Sequence, residues 1–190
     1  MSIRVIIGSS NEKVSRQLGQ FLIENGFNVI AETKDGYELL RRVNTVYPDL
    51  VIVDYSMRGI SGYEISEVLI SEKTCPVVAL LSSNEMHYFV NLSQEPTFAP
   101  LIKPCNKKIL LHTIEFLVKT SKSIYKLENE VASLKDRKDK GELISKAKKL
   151  LIENMELTEE EAHRRIQKQS MDKGISMIKI AEAIILMYDD

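Results

Sequence analysis

Five short apolar runs punctuate the first two-thirds of the chain, at Val5–Ile7, Phe27–Ala31, Leu50–Val53, Val77–Leu81 and Phe98–Ile102. Each is bounded by turn-forming residues. Between them lie amphipathic stretches, one carrying Val14, Leu18, Phe21 and Leu22, another Leu39, Leu40 and Val43, a third Ile65, Val68 and Leu69. Strand signals that alternate with helix signals build βαβ units, and βαβ units build a parallel sheet with helices on both faces. Five such units fill roughly 115 to 120 residues, which predicts a doubly wound, five-stranded α/β domain over residues 1–120.

The pattern changes after Pro104. Residues 106–140 contain neither Gly nor Pro, and Leu110, Leu117, Ile124 and Val131 recur seven apart. A second set ends in Leu127 and Leu134, with Thr113 and Thr120 in its earlier places. β-Branched residues at two a positions and Leu at the later d positions suit a parallel two-stranded coiled coil. The expectation is a long helix over 106–140 that forms a homodimer through Leu117, Ile124, Leu127, Val131 and Leu134. The competing reading is a final helix that packs on its own domain.

The last fifty residues read as wholly helical. Leu143, Ala147, Leu150 and Leu151 share one face, and Thr158 with Glu161 three residues later is a capping box. Gly174 ends that helix, and a third starts at Ser176 and buries Ile180, Ala181, Ile184 and Ile185. Three short helices need a shared core, so residues 137–190 are expected to form an all-α three-helix bundle.

Composition narrows the function. The net charge of −1 supplies no bulk attraction to nucleic acid or membrane, and no apolar run approaches the roughly 18 residues of a membrane helix. Cys75 and Cys105 lack metal-ligand spacing. A soluble, cytoplasmic protein with no membrane partner is expected.

Strand tips carry the chemistry of open α/β sheets. Asp54 ends the third run, Ser82 follows the fourth, and Lys103 follows the fifth. With "DYSMRGISG", where Met57 and Gly62 are in register, this constellation resembles the receiver domain of bacterial response regulators, a flavodoxin-like fold. The resemblance implies that Asp54 is the phosphoacceptor position, Ser82 the hydroxyl that senses a phosphoryl group and Lys103 its charge partner. The family places an acidic pair after the first strand to hold Mg²⁺. Here Ser9 and Ser10 occupy those places, with Asn11 behind them. Mg²⁺ needs hard oxygen ligands, usually including carboxylates, and phosphoryl transfer needs the charge it neutralises. Arg58 stands where the family has Pro, and Pro100 where it has its switch aromatic. The expectation is a degenerate receiver that binds no Mg²⁺ or other cofactor and is not phosphorylated, serving dimerisation or partner docking.

The tail "ISKAKKLLIENMELTEEEAHRRIQKQSMDKGISMIKIAEAII" resembles the ANTAR domain, the RNA-binding module of AmiR- and NasR-type transcription antiterminators. Ala147-Lys148, "LTEEEA", Ser170-Met171 and Ile180-Ala181 sit at the family's spacing. From Ser121 onward 14 Lys and Arg face 14 Asp and Glu, so any RNA site must come from clustering. Candidates are Lys146, Lys148 and Lys149 on the first bundle helix, His163, Arg164, Arg165 and Lys168 on the second, Lys173 after it and Lys179 on the third. Lys148 is the favoured member because it matches the motif. His163, Gln167 and Ser176 depart from the family pattern.

The resemblance therefore implies a non-enzymatic RNA-binding antitermination regulator that binds hairpin loops in nascent leader RNA as a homodimer, under a sensor protein or histidine kinase. Three alternatives stand beside it. One is a phosphorelay regulator switched at Asp54, another a protein-interaction adaptor without RNA binding, and the third a DNA-binding output.

Overall fold

A computed structural model describes residues 2–188; the last two residues of the expected bundle lie outside the described residues. The chain forms two compact units, Met1–Tyr125 and Lys126–Asp190.

The first unit is the α/β domain. Its elements are β1 (Arg4–Gly8), α1 (Glu12–Glu24), β2 (Asn28–Thr33), α2 (Gly36–Val46), β3 (Leu50–Asp54), α3 (Gly62–Ser71), β4 (Val77–Leu81), β5 (Phe98–Ile102) and the start of α4 (Lys107–Met155). All strand pairs are parallel, in the order β2-β1-β3-β4-β5. The inner strands are apolar at nearly every position because both faces are covered. Alternate residues part company there. Ile6, Val51, Val53, Val77 and Ala79 pack with Leu39 and Val43 of α2 and Ile65 and Leu69 of α3. Val5, Ile7, Leu50, Ile52 and Val78 pack with Leu22 of α1 and Leu110, Ile114, Leu117 and Val118 of α4.

Three features of the chain differ from the sequence-based expectation. Between β4 and β5 there is no α-helix but two 3₁₀ turns, Met86–Phe89 and Leu92–Gln94. The segment lacks a helical apolar stripe. Phe89 instead plugs the gap, stacked on Phe98 at 5.6 Å between ring centroids and edge-on to Tyr55 and Tyr63. Pro100 is accepted because β5 is an edge strand, with one side free of ladder partners.

The second difference concerns the expected dimer seam. Leu117 is 3% exposed and belongs to the domain's own core, as does Leu110. A side chain closed in by its own sheet cannot also face a second copy. Ile124 is half-buried, while Leu127, Val131 and Leu134 are 59%, 49% and 62% exposed. The heptad therefore serves two ends: its first a positions close the α/β core, and its later positions face solvent.

The third is a missing boundary. The linker helix does not end near residue 140. α4 runs 49 residues without a break, through Gly141, and its last turns are the first helix of the bundle.

In the second unit α5 (Glu159–Lys173) and α6 (Met177–Tyr188) complete that bundle. Thr158 and Glu161 form the expected capping box, Gly174 ends α5 in the left-handed region at φ 62°, and the Ser176 hydroxyl accepts from the Lys179 N–H at 3.4 Å. Ala147, Leu151, Ala162, Ile166, Ile180, Ala181 and Ile184 form its core. Ile185, expected inside, is only partly buried, and Leu143 lies outside the core cluster. Among the described residues no helix is long and apolar enough to cross a membrane.

Candidate functional site

Asp54 sits at the carboxyl end of β3, the central strand. Gly62 fixes the backbone around it. The Gly62 N–H donates to the Tyr55 carbonyl at 2.8 Å, and a Cβ at position 62 would run into the Asp54 carbonyl. Glycine is therefore what lets α3 start this close to the acceptor strand. The Asp54 side chain is largely buried. Its Oδ1 accepts from the Lys103 ammonium at 2.8 Å, and its Oδ2 accepts from the Ser9 hydroxyl. Three strand tips, β1, β3 and β5, thus converge on one carboxylate.

The remaining pocket residues take other roles. Asn11 is the N-cap of α1, and its side-chain oxygen accepts from the Lys13 and Val14 N–H groups at 3.1 and 3.2 Å. Ser10 is exposed. Ser82 is half-buried, and its N–H donates to the Glu85 carboxylate at 2.6 Å. Above the site, Tyr55 and Tyr88 stack in parallel at 5.5 Å.

The family's Mg²⁺ can be tested against this donor set. Mg²⁺ asks for carboxylate and water oxygens in an octahedron. The position that carries an acid in the family carries Ser9, whose hydroxyl is donated to Asp54. The other Asp54 oxygen holds an ammonium, and Asn11 spends its oxygen on the helix cap. This donor set offers Mg²⁺ one carboxylate, and both oxygens of that carboxylate are engaged.

The candidate RNA residues lie in the second unit. Lys148 ties two helices together. Its side chain is 20% exposed, and its ammonium bonds the Glu159 carboxylate at 2.6 Å, joining the end of α4 to the first turn of α5. That hydrogen bond, with the charge of Lys148 behind it, holds the Glu159 carboxyl below the usual range. Arg164 pairs with Glu160 one turn back at 2.6 Å. Lys146 and Lys149 on α4, His163, Arg165 and Lys168 on α5, Lys173 at its end and Lys179 on α6 are all exposed. Ala162 and Ile166 turn inward, so Arg165 and Lys168, three apart, share one flank of α5, while His163 and Gln167 share the other.

A group to which the sequence alone assigned no role gathers in a cleft that Ser10 and Asn11 also line. Lys13 and Arg16 on α1, Lys34 after β2 and Arg58 in the β3–α3 loop line one cleft. They lie far apart in the sequence, and only the β2-β1-β3 order brings them together. The sequence offered little signal for them, since of the four only Lys34 directly follows a strand.

Comparison with known proteins matches both units. Residues 5–115 match the response regulator receiver domain and residues 132–185 the ANTAR domain. The transcriptional regulatory protein PdtaR of Mycobacterium tuberculosis is 30% identical over 182 residues, covering 96% of this chain and 89% of that protein. The DNA-binding transcriptional activator EvgA of Escherichia coli is 29% identical over 68 residues, 36% of this chain and 33% of that one. Among solved structures, the receiver domain of a Francisella response regulator aligns with TM-score 0.56 at 21% identity, over 62% of this chain and 98% of its own. A signal receiver domain from Desulfovibrio desulfuricans aligns with TM-score 0.58 at 24% identity, over 64% of this chain and 98% of its own. These structural likenesses bear on the fold alone. The receiver match over residues 5–115, the ANTAR match over 132–185 and the likeness to PdtaR over 96% of the chain place it in the response-regulator family that joins an N-terminal receiver domain to a C-terminal ANTAR domain.

Proposed function

We propose that this regulator binds hairpin loops in nascent leader RNA through its ANTAR unit and so controls transcription antitermination in the cytoplasm. It works without catalysis of its own. The observation that carries the reading is the ANTAR match over residues 132–185, joined to a flank of α5 on which Arg165 and Lys168 are both exposed. Lys and Arg neutralise RNA phosphates and so supply affinity, while splayed loop bases supply specificity. Arg165 and Lys168 on one flank of α5, with Lys149 and Lys179 on the neighbouring helices, are the residues proposed to meet phosphate; Lys146 and Lys173 lie at the margins. Lys148 acts mainly by holding α5 against α4, and Arg164 is already balanced by Glu160. Exposed His163 is the side chain proposed to stack on a base.

The test is hairpin binding in rising salt. Changing Arg165 and Lys168 together to Ala is expected to weaken binding by about tenfold at low salt. The slope of log affinity against log salt is expected to fall by about 0.7 for each phosphate that is no longer neutralised. Fluorescence anisotropy with a labelled loop hairpin reads both quantities. Unchanged affinity and slope would remove this flank from the site. No affinity for any hairpin in a transcript library would support the adaptor reading instead.

The proposed assembly is a homodimer, because two bundles on one particle engage two loops and gain avidity without any new interaction at either loop. The seam is Leu127, Val131 and Leu134, with Ile124 at its edge. Replacing Leu127 and Leu134 with Asp is expected to give monomers in sedimentation velocity and to weaken binding to a two-hairpin RNA more than to a single hairpin. A wild-type protein that sediments as a monomer at tens of micromolar would overturn the dimer.

The receiver is proposed to be a docking element that needs neither Mg²⁺ nor phosphate on Asp54, and a sensor protein is its proposed partner. One observation favours the phosphorelay alternative, with a histidine kinase upstream: Lys103 lies 2.8 Å from Asp54, which is the charge partner an acceptor uses. Intact mass after acetyl phosphate treatment with Mg²⁺ separates the two, since an Asp54-dependent phosphoryl adduct at full occupancy would establish the alternative.

A further inference from the structure

We propose that the receiver unit holds a binding site for a small phosphate monoester, in the cleft beside the Asp54 pocket. This inference is independent of the RNA reading. The cleft measures about 710 Å³ and is lined by Lys13, Arg16, Lys34 and Arg58 against a single carboxylate, Glu12. Four cations against one anion are unusual in a chain whose net charge is −1. The site is built by the fold. The Arg58 N–H donates to the Lys34 carbonyl at 3.1 Å and the Gly36 N–H donates to the Arg58 carbonyl at 2.9 Å, which ties the β3–α3 loop to the end of β2 and sets Arg58 beside Lys34. A Pro at position 58 could not make the first of these bonds, since it has no N–H.

The field at this point already selects an anion. Glu12 is ion-paired with Lys34. Its carboxyl is held below the usual range first by the hydrogen bond from Lys34 and then by the charges of Lys34, Arg16 and Arg58. Glu12 thus acts as an internal counter-ion in a place where a ligand phosphate would be better matched, carrying more charge and three acceptor oxygens.

A second observation lies beside it. The cleft shares Glu12, Arg16 and Lys34 with a smaller cavity of about 280 Å³, which is also lined by Ser9, Ser15 and Glu32. Glu32 accepts from the Ser15 hydroxyl of α1 at 2.5 Å. The smaller cavity therefore presents a carboxylate to hydroxyl or amino groups, and the larger cleft presents cations to a phosphate. A small molecule carrying both at opposite ends, such as a sugar phosphate or a nucleoside monophosphate, matches this polarity. A nucleic-acid backbone matches it less well, because its diesters offer no terminal phosphate and Glu32 repels a second one.

Calorimetric titration of the full-length protein with inorganic phosphate, glucose 6-phosphate, adenosine monophosphate and adenosine tests the site. The expected result is binding of at least one phosphate monoester and none of adenosine. Which ester binds tells a sugar ligand from a nucleotide. Changing Lys34 and Arg58 together to Gln is expected to weaken that binding by at least about tenfold, because two charge-assisted hydrogen bonds to the phosphate disappear. Both residues are on the surface, so the fold is retained. Glu12→Gln is expected to tighten binding severalfold by removing the internal competitor, a gain that misfolding cannot produce. Glu32→Ala is expected to weaken ester binding and not to weaken that of inorganic phosphate. Absence of binding by every phosphate compound at millimolar concentration overturns the proposal, as does equal binding of adenosine, a Glu12→Gln variant with no gain, or a Glu32→Ala variant with unchanged ester affinity. If Lys34→Gln with Arg58→Gln lowers hairpin affinity while no monoester binds, the cleft is an RNA contact and the proposal is likewise overturned.

Discussion

Changing Ser9 to Asp is expected to destabilise the metal-free receiver by about 3 to 5 kcal/mol, the scale of leaving a buried charge uncompensated. Ser9 is 2% exposed and its hydroxyl donates to Asp54. A carboxylate in its place turns that donor into a second anion against the first, and Lys103 is a single cation for both. Like charges held close raise one another's pKa, so one of the pair takes up a proton more readily than a free carboxylate. The sign follows from linkage. A carboxyl with a raised folded-state pKa costs stability above its unfolded pKa, most of all above the raised value, and the cost fades as pH falls below the unfolded value. Thermal melts at neutral pH are expected to show a fall of roughly 10 °C or more, shrinking toward pH 4. Adding Asp at position 10 as well rebuilds an acidic pair beside Asp54, and millimolar Mg²⁺ is then expected to restore much of the loss in the double variant. In the wild type Mg²⁺ is expected to leave the melting temperature unchanged. A wild type that Mg²⁺ stabilises would show that the Ser9 pocket still takes the ion.

Ile166→Asp is expected to unfold the bundle and abolish hairpin binding. Ile166 is fully buried among Ala147, Leu151, Ala162, Ile180 and Ile184, and among the described residues no Lys or Arg is buried. Burying an unpaired carboxylate in such a place costs several kcal/mol, comparable with the whole stability of a small helical unit. The receiver has its own two core layers, so its amides are expected to keep their hydrogen-exchange protection while those of α5 and α6 lose theirs. Ile166→Val, which removes one methylene, is expected to cost only about 0.5 to 1.5 kcal/mol and to retain binding. An Ile166→Asp variant that binds hairpins normally would mean that the RNA site does not need the bundle.

The two units differ in how plainly their sequences announce them. The sheet was legible because β1, β3 and β4 are buried on both faces, and burial on both faces demands short, unbroken apolar runs. The capping box at Thr158 and Glu161 and the stop at Gly174 were legible because they are local, set by backbone geometry within a few residues. Asp54 and Lys103 were legible as strand tips once the strands were placed. The segment between β4 and β5 was not, because Phe89 substitutes for a helix only in the company of Phe98, Tyr55 and Tyr63.

By itself, the sequence determined the order of the strands, the parallel sheet and the caps that bound the bundle helices. These depend on residue type and spacing along the chain. Tertiary structure decided which apolar residues are shared and which are spare. A heptad position looks alike whether it faces a partner or its own sheet, and only the packing of α4 against Val5, Leu50 and Ile52 consigns Leu117 to the core and leaves Leu127, Val131 and Leu134 outside. It likewise drew Lys148 into its pair with Glu159, and gathered Lys13, Arg16, Lys34 and Arg58 around one cleft. Charge is a property of each residue, but a field is a property of where the chain crosses, and the strand order β2-β1-β3 makes that crossing.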